Sequence, residues 1–191
     1  MKNQLGYTFI EITIVISMML ILFAFSLPMI STYLTNMQNK LLQNELMQTL
    51  QFAYEYSRIK NLAIGVCKSN NQLNCGGEWG DGQLIFNDLY QDGIIHSKKQ
   101  IIRITHHQTH RGQIFWRAYP IYRDYLLFNS LGMLENSNAT FWYCPSATSL
   151  PNWALIISKS GRIRSVQPDK KGEIEDGHGK KLLCHEPRFT R

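Results

Sequence analysis

The stretch that decides the fold spans residues 6–30 and reads GYTFIEITIVISMMLILFAFSLPMI. No charged residue occurs from Ile12 to Asn39, and the run from Ile12 to Ile30 is almost wholly apolar. Because a helix rises about 1.5 Å per residue, this run is long enough to cross a hydrocarbon layer of ~30 Å. The sequence therefore predicts a membrane-spanning helix over residues 7–31. A short polar leader, residues 1–6, precedes it, and Lys2 is expected to hold that leader on the cytoplasmic side.

One acidic side chain, Glu11, lies at the start of this apolar run. An unpaired carboxylate in hydrocarbon costs several kcal/mol, so Glu11 needs a partner. The sequence leaves two roles open. Glu11 belongs either to the first helical turn, where the helix dipole favours an acid, or to an assembly contact with a neighbouring subunit's free amino group, created by cleavage after Gly6.

Beyond the apolar run, large side chains recur at helical spacing, which predicts that the helix continues as an amphipathic segment over residues 32–61. One face of this segment carries the apolar residues that are expected to pack on a sheet, and the other faces water. The apolar positions are Leu34, Met37, Leu41, Leu42, Leu46, Leu50, Ala53 and Tyr54.

Residues 62–166 consist of short β-rich runs separated by Gly, Asn and Asp, which is typical of an antiparallel β domain. The sequence thus predicts an α+β fold in which a long N-terminal helix packs on one or two antiparallel β-sheets. The predicted strands are Ala63–Lys68, Gln83–Asn87, Gln100–His106, Gln113–Ala118, Tyr125–Asn129, Thr140–Cys144, Trp153–Ser158 and Arg162–Val166.

Four cysteines lie beyond the apolar run: Cys67, Cys75, Cys144 and Cys184. An even number on one side of a membrane favours disulfides in an oxidising compartment, and no pair has the C-x-x-C spacing usual in structural zinc sites. Three pairings are open. We favour Cys67 with Cys75, which closes a polar loop, and Cys144 with Cys184, which fixes the C-terminal segment to the domain.

The chain carries a formal net charge of +6, and the excess of basic residues is densest near the C-terminus. Residues 159–191 contain nine basic and five acidic side chains. Residues 167–191 are therefore expected to form a flexible basic tail suited to an anionic partner, either nucleic acid or lipid headgroups, between which charge alone does not choose.

The residues Gly6-Tyr7-Thr8-Phe9-Ile10-Glu11 resemble the leader site of type IV prepilins and type II secretion pseudopilins. The family usually has phenylalanine where this chain has Tyr7. The resemblance implies that a prepilin peptidase cuts between Gly6 and Tyr7 and methylates the new N-terminus. It also implies that Glu11 guides docking into a filament of other pilins, and that the protein stands in the inner membrane with a periplasmic domain before it joins a pilus on the cell surface.

The β domain resembles the FimT and GspH branch of that superfamily. The resemblance rests on Cys144 and on segments that occur in the same order along the chain: 75–82, 85–86, 92–93, 128–132 and 156–164. In FimT-like minor pilins a Gly-Arg-x-Arg motif is associated with DNA capture during natural transformation, and residues 161–164 keep that motif. The alternative that stays open is a structural minor pilin or a type II secretion pseudopilin without DNA binding.

The Gly161-Arg162-Ile163-Arg164 segment also suits double-stranded DNA on physical grounds. In an extended segment Arg162 and Arg164 project from one face, about 7 Å apart, which is close to the spacing of successive phosphates on a nucleic-acid strand. Spacing alone favours two ordinary solvated arginines, but basic neighbours shift the interpretation toward a binding site. Those expected to join it are Lys159, Lys170, Lys171, Lys180 and Lys181.

Other residue groups predict no second site. His106, His107 and His110 lie near a strand end without a Cys or carboxylate set, so a surface loop is expected rather than a metal site. The tryptophans Trp79, Trp116, Trp142 and Trp153 could stack on bases but have the context of core residues. No motif of a known enzyme class is present, and we expect neither catalysis nor a cofactor.

Overall fold

The computed structural model describes residues 8–106, 112–119, 124–135, 138–146 and 151–184, without the side chains of residues 24–29, 31, 32 and 119. The chain divides into two compact units, residues 1–41 and 42–191. Helix α1, Phe9–Lys60, runs through both. The leader residues Gly6 and Tyr7 lie outside the described part of the chain.

The first unit contains the start of α1. The backbone amide of Glu11 donates to the Thr8 carbonyl (3.1 Å), and the Glu11 carboxylate accepts from the Thr8 amide (3.3 Å). This local capping places Glu11 in the first helical turn, as one of its two predicted roles requires. Within the described residues no helix is both long and apolar enough to cross a membrane. The membrane span predicted over residues 7–31 is therefore not confirmed, and several of its side chains lie outside the described set.

In the second unit, α1 ends where the sequence predicts. Asn61 adopts a left-handed conformation (φ 55°), and the Leu62 amide donates to the Ser57 carbonyl at 3.1 Å. This pattern satisfies a carbonyl that the helix end would otherwise leave without a partner. Basic side chains in the last turn, Arg58 and Lys60, suit the negative end of the helix dipole.

All eight predicted strands are confirmed, with ends shifted by at most two residues. They form two four-stranded antiparallel sheets, in the orders β3-β2-β1-β5 and β4-β6-β7-β8. The strands are β1 (Ile64–Lys68), β2 (Gly82–Asn87), β3 (Ile101–His106), β4 (Gly112–Tyr119), β5 (Tyr125–Phe128), β6 (Asn138–Pro145), β7 (Trp153–Ser158) and β8 (Ile163–Val166).

One hydrophobic core joins both sheets to the second-unit part of α1. Its helix side chains are part of the predicted amphipathic stripe, and its strand side chains alternate with residues that face the other way. The helix contributes Leu42, Leu46, Leu50 and Ala53, and the strands contribute side chains such as Val66, Ile85, Phe128, Phe141 and Leu155. Trp79, Trp116 and Trp153 also lie in this core, whereas Trp142 is buried in a second cluster on the opposite face of the β4–β8 sheet. The tryptophans are core residues, as predicted.

Both favoured disulfides are present, Cys67–Cys75 and Cys144–Cys184. The first closes the loop after β1. The second joins β6 to the C-terminal segment across 40 residues of sequence. Within the described residues every cysteine is paired.

Among the described residues, four connections of the domain are versions of one tight turn. Each has the pattern Asn/Ser/Asp-x-x-Gly-x, and each glycine has φ near +80°, a conformation that costs glycine little. In each turn the first residue's amide donates to the fifth residue's carbonyl, and the glycine amide donates back to the first carbonyl. The turns are 129–133, 158–162, 169–173 and 176–180.

Candidate nucleic-acid interface

The β7–β8 turn presents the Gly-Arg-x-Arg segment at the edge of a sheet. Ser158 donates its amide to the Arg162 carbonyl (3.0 Å), and the Gly161 amide donates to the Ser158 carbonyl (2.9 Å). Gly161 is buried, with φ +80°, and a Cβ there would overlap the Tyr54 ring and the Gly132 carbonyl. Glycine is therefore required here both by backbone conformation and by close packing.

The two arginines have the arrangement expected from alternation. Arg162 and Arg164 are exposed, while Ile163 between them is half-buried and packs on the main core. Strand β8 begins at Ile163, one residue later than predicted, so Arg162 belongs to the turn. Because β8 pairs only with β7, its other edge has no neighbouring strand in the described fold. Both guanidinium groups can therefore be approached from solvent.

Arg164 belongs to a row of side chains that crosses the sheet. The register pairs Arg164 with Ile156, Ile156 with Thr140, and Thr140 with Arg117. The row thus has a basic residue at each end. Arg117 lies over the Trp142 ring, with its guanidinium carbon 5.8 Å from the ring centroid, and its Nη2 is 2.5 Å from an Asp176 carboxylate oxygen. Arg117 is thereby neutralised by a carboxylate that lies 59 positions away in the sequence.

The predicted flexibility of the tail is wrong for residues 167–184. Ile174 and Leu182 are buried against Trp142 and Ala154, and the Leu182 amide donates to the Ile174 carbonyl (2.8 Å). The Trp142 Nε1 donates to the Leu183 carbonyl at 3.1 Å. Burial of two large aliphatic side chains, together with the disulfide to Cys144, holds this segment on the outer face of the β4–β8 sheet. Residues 185–191, with Arg188 and Arg191, lie outside the described part.

The acidic residues of the segment shape its turns. The Asp169 carboxylate accepts backbone hydrogen bonds from Glu173 and Lys171, which lower its pKa. Burial alone would raise the pKa of Asp176, but hydrogen bonds from the amides of Lys180 and His178 and the charge of Arg117 lower it overall. Both aspartates are therefore structural anions, and they reduce the positive charge of the segment.

The predicted lysines are exposed but not equivalent. Lys159 lies at the tip of the β7–β8 turn, and Lys170 and Lys171 at the tip of turn 169–173. The Nζ of Lys181 is 2.6 Å from a Glu173 oxygen, and this hydrogen bond raises the pKa of Lys181. Lys180 is exposed and donates its amide to Asp176. Lys181 is therefore paired with Glu173, and its contact with DNA stays a prediction.

The remaining sequence candidates are dispersed. His106 is exposed at the end of β3, and His107 and His110 lie outside the described residues. In the part of the chain that the structure describes, no three His, Cys, Asp or Glu side chains are grouped to hold a metal ion.

Comparison with known proteins agrees with this architecture. A family model described as type II transport protein GspH matches residues 42–161, which is most of the chain. No curated protein sequence matches.

Among solved structures, the type IV minor pilin FimU of Pseudomonas aeruginosa is similar in two crystal forms, each with a TM-score of 0.51 and 22% identity. The match covers 65% of this chain and 85% of FimU in one form, and 66% and 91% in the other. The minor pseudopilin EpsH from the type 2 secretion system of Vibrio cholerae has a TM-score of 0.45 and 12% identity, over 69% of this chain and 98% of EpsH.

At this identity the FimU likeness establishes the fold: a helix packed on two antiparallel sheets. The family match covers more than half of the sequence, from the buried helix residues through the glycine of the β7–β8 turn. The chain belongs to the GspH family.

Proposed function

We propose that this chain is a minor pilin that binds double-stranded DNA without sequence preference and so aids DNA uptake in natural transformation. Membership of the GspH family supports a role among other pilins of a filament. The observation that carries the DNA-binding part is the pair Arg162 and Arg164, both exposed at a sheet edge on either side of a half-buried Ile163.

The chemistry of the pair supports phosphate as the ligand. Each guanidinium group offers a planar set of donors that grips two phosphate oxygens, which a lysine ammonium does not. Arg162 is the last residue of the turn and Arg164 is the second residue of β8, so the two guanidinium groups are two positions apart at one sheet edge. Full extension would set them about 7 Å apart, near the interval between phosphates. Since such contacts are to the backbone of DNA, they carry no base information.

The neighbouring lysines extend this surface unequally. Lys159 belongs to the same turn as Arg162, and Lys170 and Lys171 lie at an exposed turn tip. Lys181 contributes less to the proposed site, because Glu173 already balances its charge.

A salt titration tests the proposal. The full-length chain, purified in a non-ionic detergent, is titrated with two unrelated duplexes at several salt concentrations. Each neutralised phosphate contributes a slope of about −0.9 in log affinity against log salt, so we expect roughly −3 to −5 for the parent. The double variant R162Q/R164Q should flatten the slope by about two units for both duplexes.

A matched control separates the motif from net charge. K98Q/K99Q removes the same two charges from exposed positions beside β3, in the other sheet, and should leave the slope unchanged. If R162Q/R164Q, folded by circular dichroism, bound DNA as the parent does, the assignment of the motif would be wrong. Equal losses in the two double variants would show a general charge effect.

A second function, assembly of a filament without DNA binding, is favoured by the family description as a type II transport protein. In that case the same fold serves as a structural minor pilin or secretion pseudopilin. Absence of DNA binding by the parent, together with loss of pilus assembly or secretion on deletion of the gene, would favour this function.

Processing and location belong to the same proposal and rest on the sequence. A prepilin peptidase cuts after Gly6 and methylates Tyr7, and Glu11 then contacts the amino group of a neighbouring subunit. Before assembly the protein stands in the inner membrane, supported by the uncharged run Ile12–Asn39.

A further inference from the structure

Three segments that are distant in sequence meet at the Tyr54 side chain. The Tyr54 ring lies where Cβ atoms of Gly161 and Gly132 would stand, so both glycine turns pack against this helix position. The two turns also contact each other, because the Leu134 amide donates to the Lys159 carbonyl at 2.9 Å. The Gly-Arg-x-Arg turn is therefore fixed to the last two turns of α1.

Arg58, one helical turn after Tyr54, contacts both the Tyr54 side chain and the turn that contains Gly132. Its guanidinium carbon lies 5.4 Å from the Tyr54 ring centroid, and its Nη1 donates to the Tyr54 hydroxyl at 2.9 Å. The aliphatic part of Arg58 lies against Gly132, where a Cβ would meet it. The side chain is exposed overall, so its stem is held while its charge stays in contact with solvent.

We infer that Arg58 is a further phosphate-binding residue, which extends the DNA surface from the β7–β8 turn onto the end of α1. This inference rests on the proposed DNA binding and adds a residue outside the Gly-Arg-x-Arg motif. Two exposed acids belong to these segments, Glu55 of α1 and Glu135 after turn 129–133, and they are outnumbered by Arg58, Lys159 and Arg162. Charge complementarity thus favours a polyanion, and Tyr54 acts as the residue that positions Arg58.

The chain offers a close control for Arg58. Arg103 of β3 is also exposed and also lies over an aromatic ring of α1, 5.0 Å from the Phe52 centroid. It belongs to the other sheet, away from the two glycine turns in the strand order. R58Q and R103Q therefore remove one charge and one ring contact each.

The experiment measures the salt dependence of DNA binding by the full-length parent, R58Q, R58K and R103Q. We expect R58Q to flatten the slope by about one unit. If R58Q and the parent bind equally at 1 M salt, R58Q then binds approximately fivefold more weakly than the parent at 0.15 M. R58K should keep the parent slope because it keeps the charge, and R103Q should match the parent. If R58Q matched R103Q while R162Q/R164Q still flattened the slope, this inference would fail and the proposed function would stand. If the parent bound no DNA, both would fail.

The positioning role of Tyr54 has its own readout. Y54F keeps the ring against Gly161 and removes the hydroxyl that accepts from Arg58. It should weaken DNA binding in the parent but not in the R58Q background, because the effect acts through Arg58. Equal weakening in both backgrounds would show that the hydroxyl acts on the fold rather than on Arg58.

Discussion

The aromatic ring of Tyr54 packs directly against Gly161, so the glycine of the Gly-Arg-x-Arg motif is also a contact between helix and turn. Gly161 and Gly179 have nearly the same backbone conformation, with φ +80° and +79°. They differ in surroundings, because a Cβ at position 179 would meet nothing within 4 Å. Substitutions at these two glycines therefore distinguish the cost of backbone strain from the cost of lost packing.

We predict that G161A lowers the free energy of unfolding more than G179A does. Both variants carry the cost of a left-handed alanine, about 1–2 kcal/mol. G161A adds overlap with Tyr54 and the Gly132 carbonyl, for a further loss of about 1–3 kcal/mol. Urea denaturation of the two variants measures the difference, and equal losses would contradict the packing role.

Asp176 should stabilise the protein in a pH-dependent way. D176N keeps an oxygen acceptor for the turn but removes the charge that faces Arg117, so the free energy of unfolding at pH 7 should fall by about 1–2 kcal/mol. The pKa of Asp176 is lowered in the folded state, so its stabilisation is present above the ordinary value of 3.8 and is lost as pH falls through the folded pKa. The difference in the free energy of unfolding between the parent and D176N should therefore disappear in acid.

Denaturation curves at pH 7 and at steps below pH 4 give that comparison. E175Q, at the neighbouring exposed acid, is the control and should have little effect at neutral pH. If that difference in the free energy of unfolding stayed constant into strong acid, the carboxylate charge would not contribute to stability.

The two disulfides should contribute unequally to stability. They close loops with sequence separations of 8 and 40 residues. Loop-closure entropy predicts that C144A/C184A loses about 1.4 kcal/mol more than C67A/C75A. Denaturation under non-reducing conditions tests the order of the two losses. A larger loss for the Cys67–Cys75 variant would mean that burial of Cys67 outweighs chain entropy.

The mass of the protein isolated from cells tests the predicted processing. If cleavage follows Gly6, protein isolated from cells should lack residues 1–6 and carry one methyl group on Tyr7. Intact-mass analysis gives both results, and G6V should block cleavage because a bulky residue replaces the small one at the cut site. Recovery of assembled protein with residues 1–6 attached would contradict the prepilin interpretation.

The strands could be predicted because their signals are local. Val66, Ile85 and Leu155 lie in short apolar runs bounded by turn-forming residues, and each run became a strand. Which strands would be neighbours could not be predicted. The order β3-β2-β1-β5 depends on packing between residues far apart in sequence, and the pattern of each strand is the same in any order.

The candidate site was predictable in part for the same reason. Exposure of Arg162 and Arg164 follows from alternation around Ile163. The docked tail was missed because Ile174 and Leu182 are isolated apolar residues among charges and glycines, without a period. Arg117 was missed as well, since its partner Asp176 is 59 positions away and only the folded sheet brings them together.

The shared turn pattern has a consequence for how this surface can change. In each Asn/Ser/Asp-x-x-Gly-x turn the first and fourth residues set the backbone, so the two middle residues are free to vary. Two of the four turns use those positions for lysine, at 159 and at 170–171. Point substitutions at these tips can therefore add or remove charge while the hairpins persist. Related chains can acquire or lose affinity for anions without passing through an unstable intermediate.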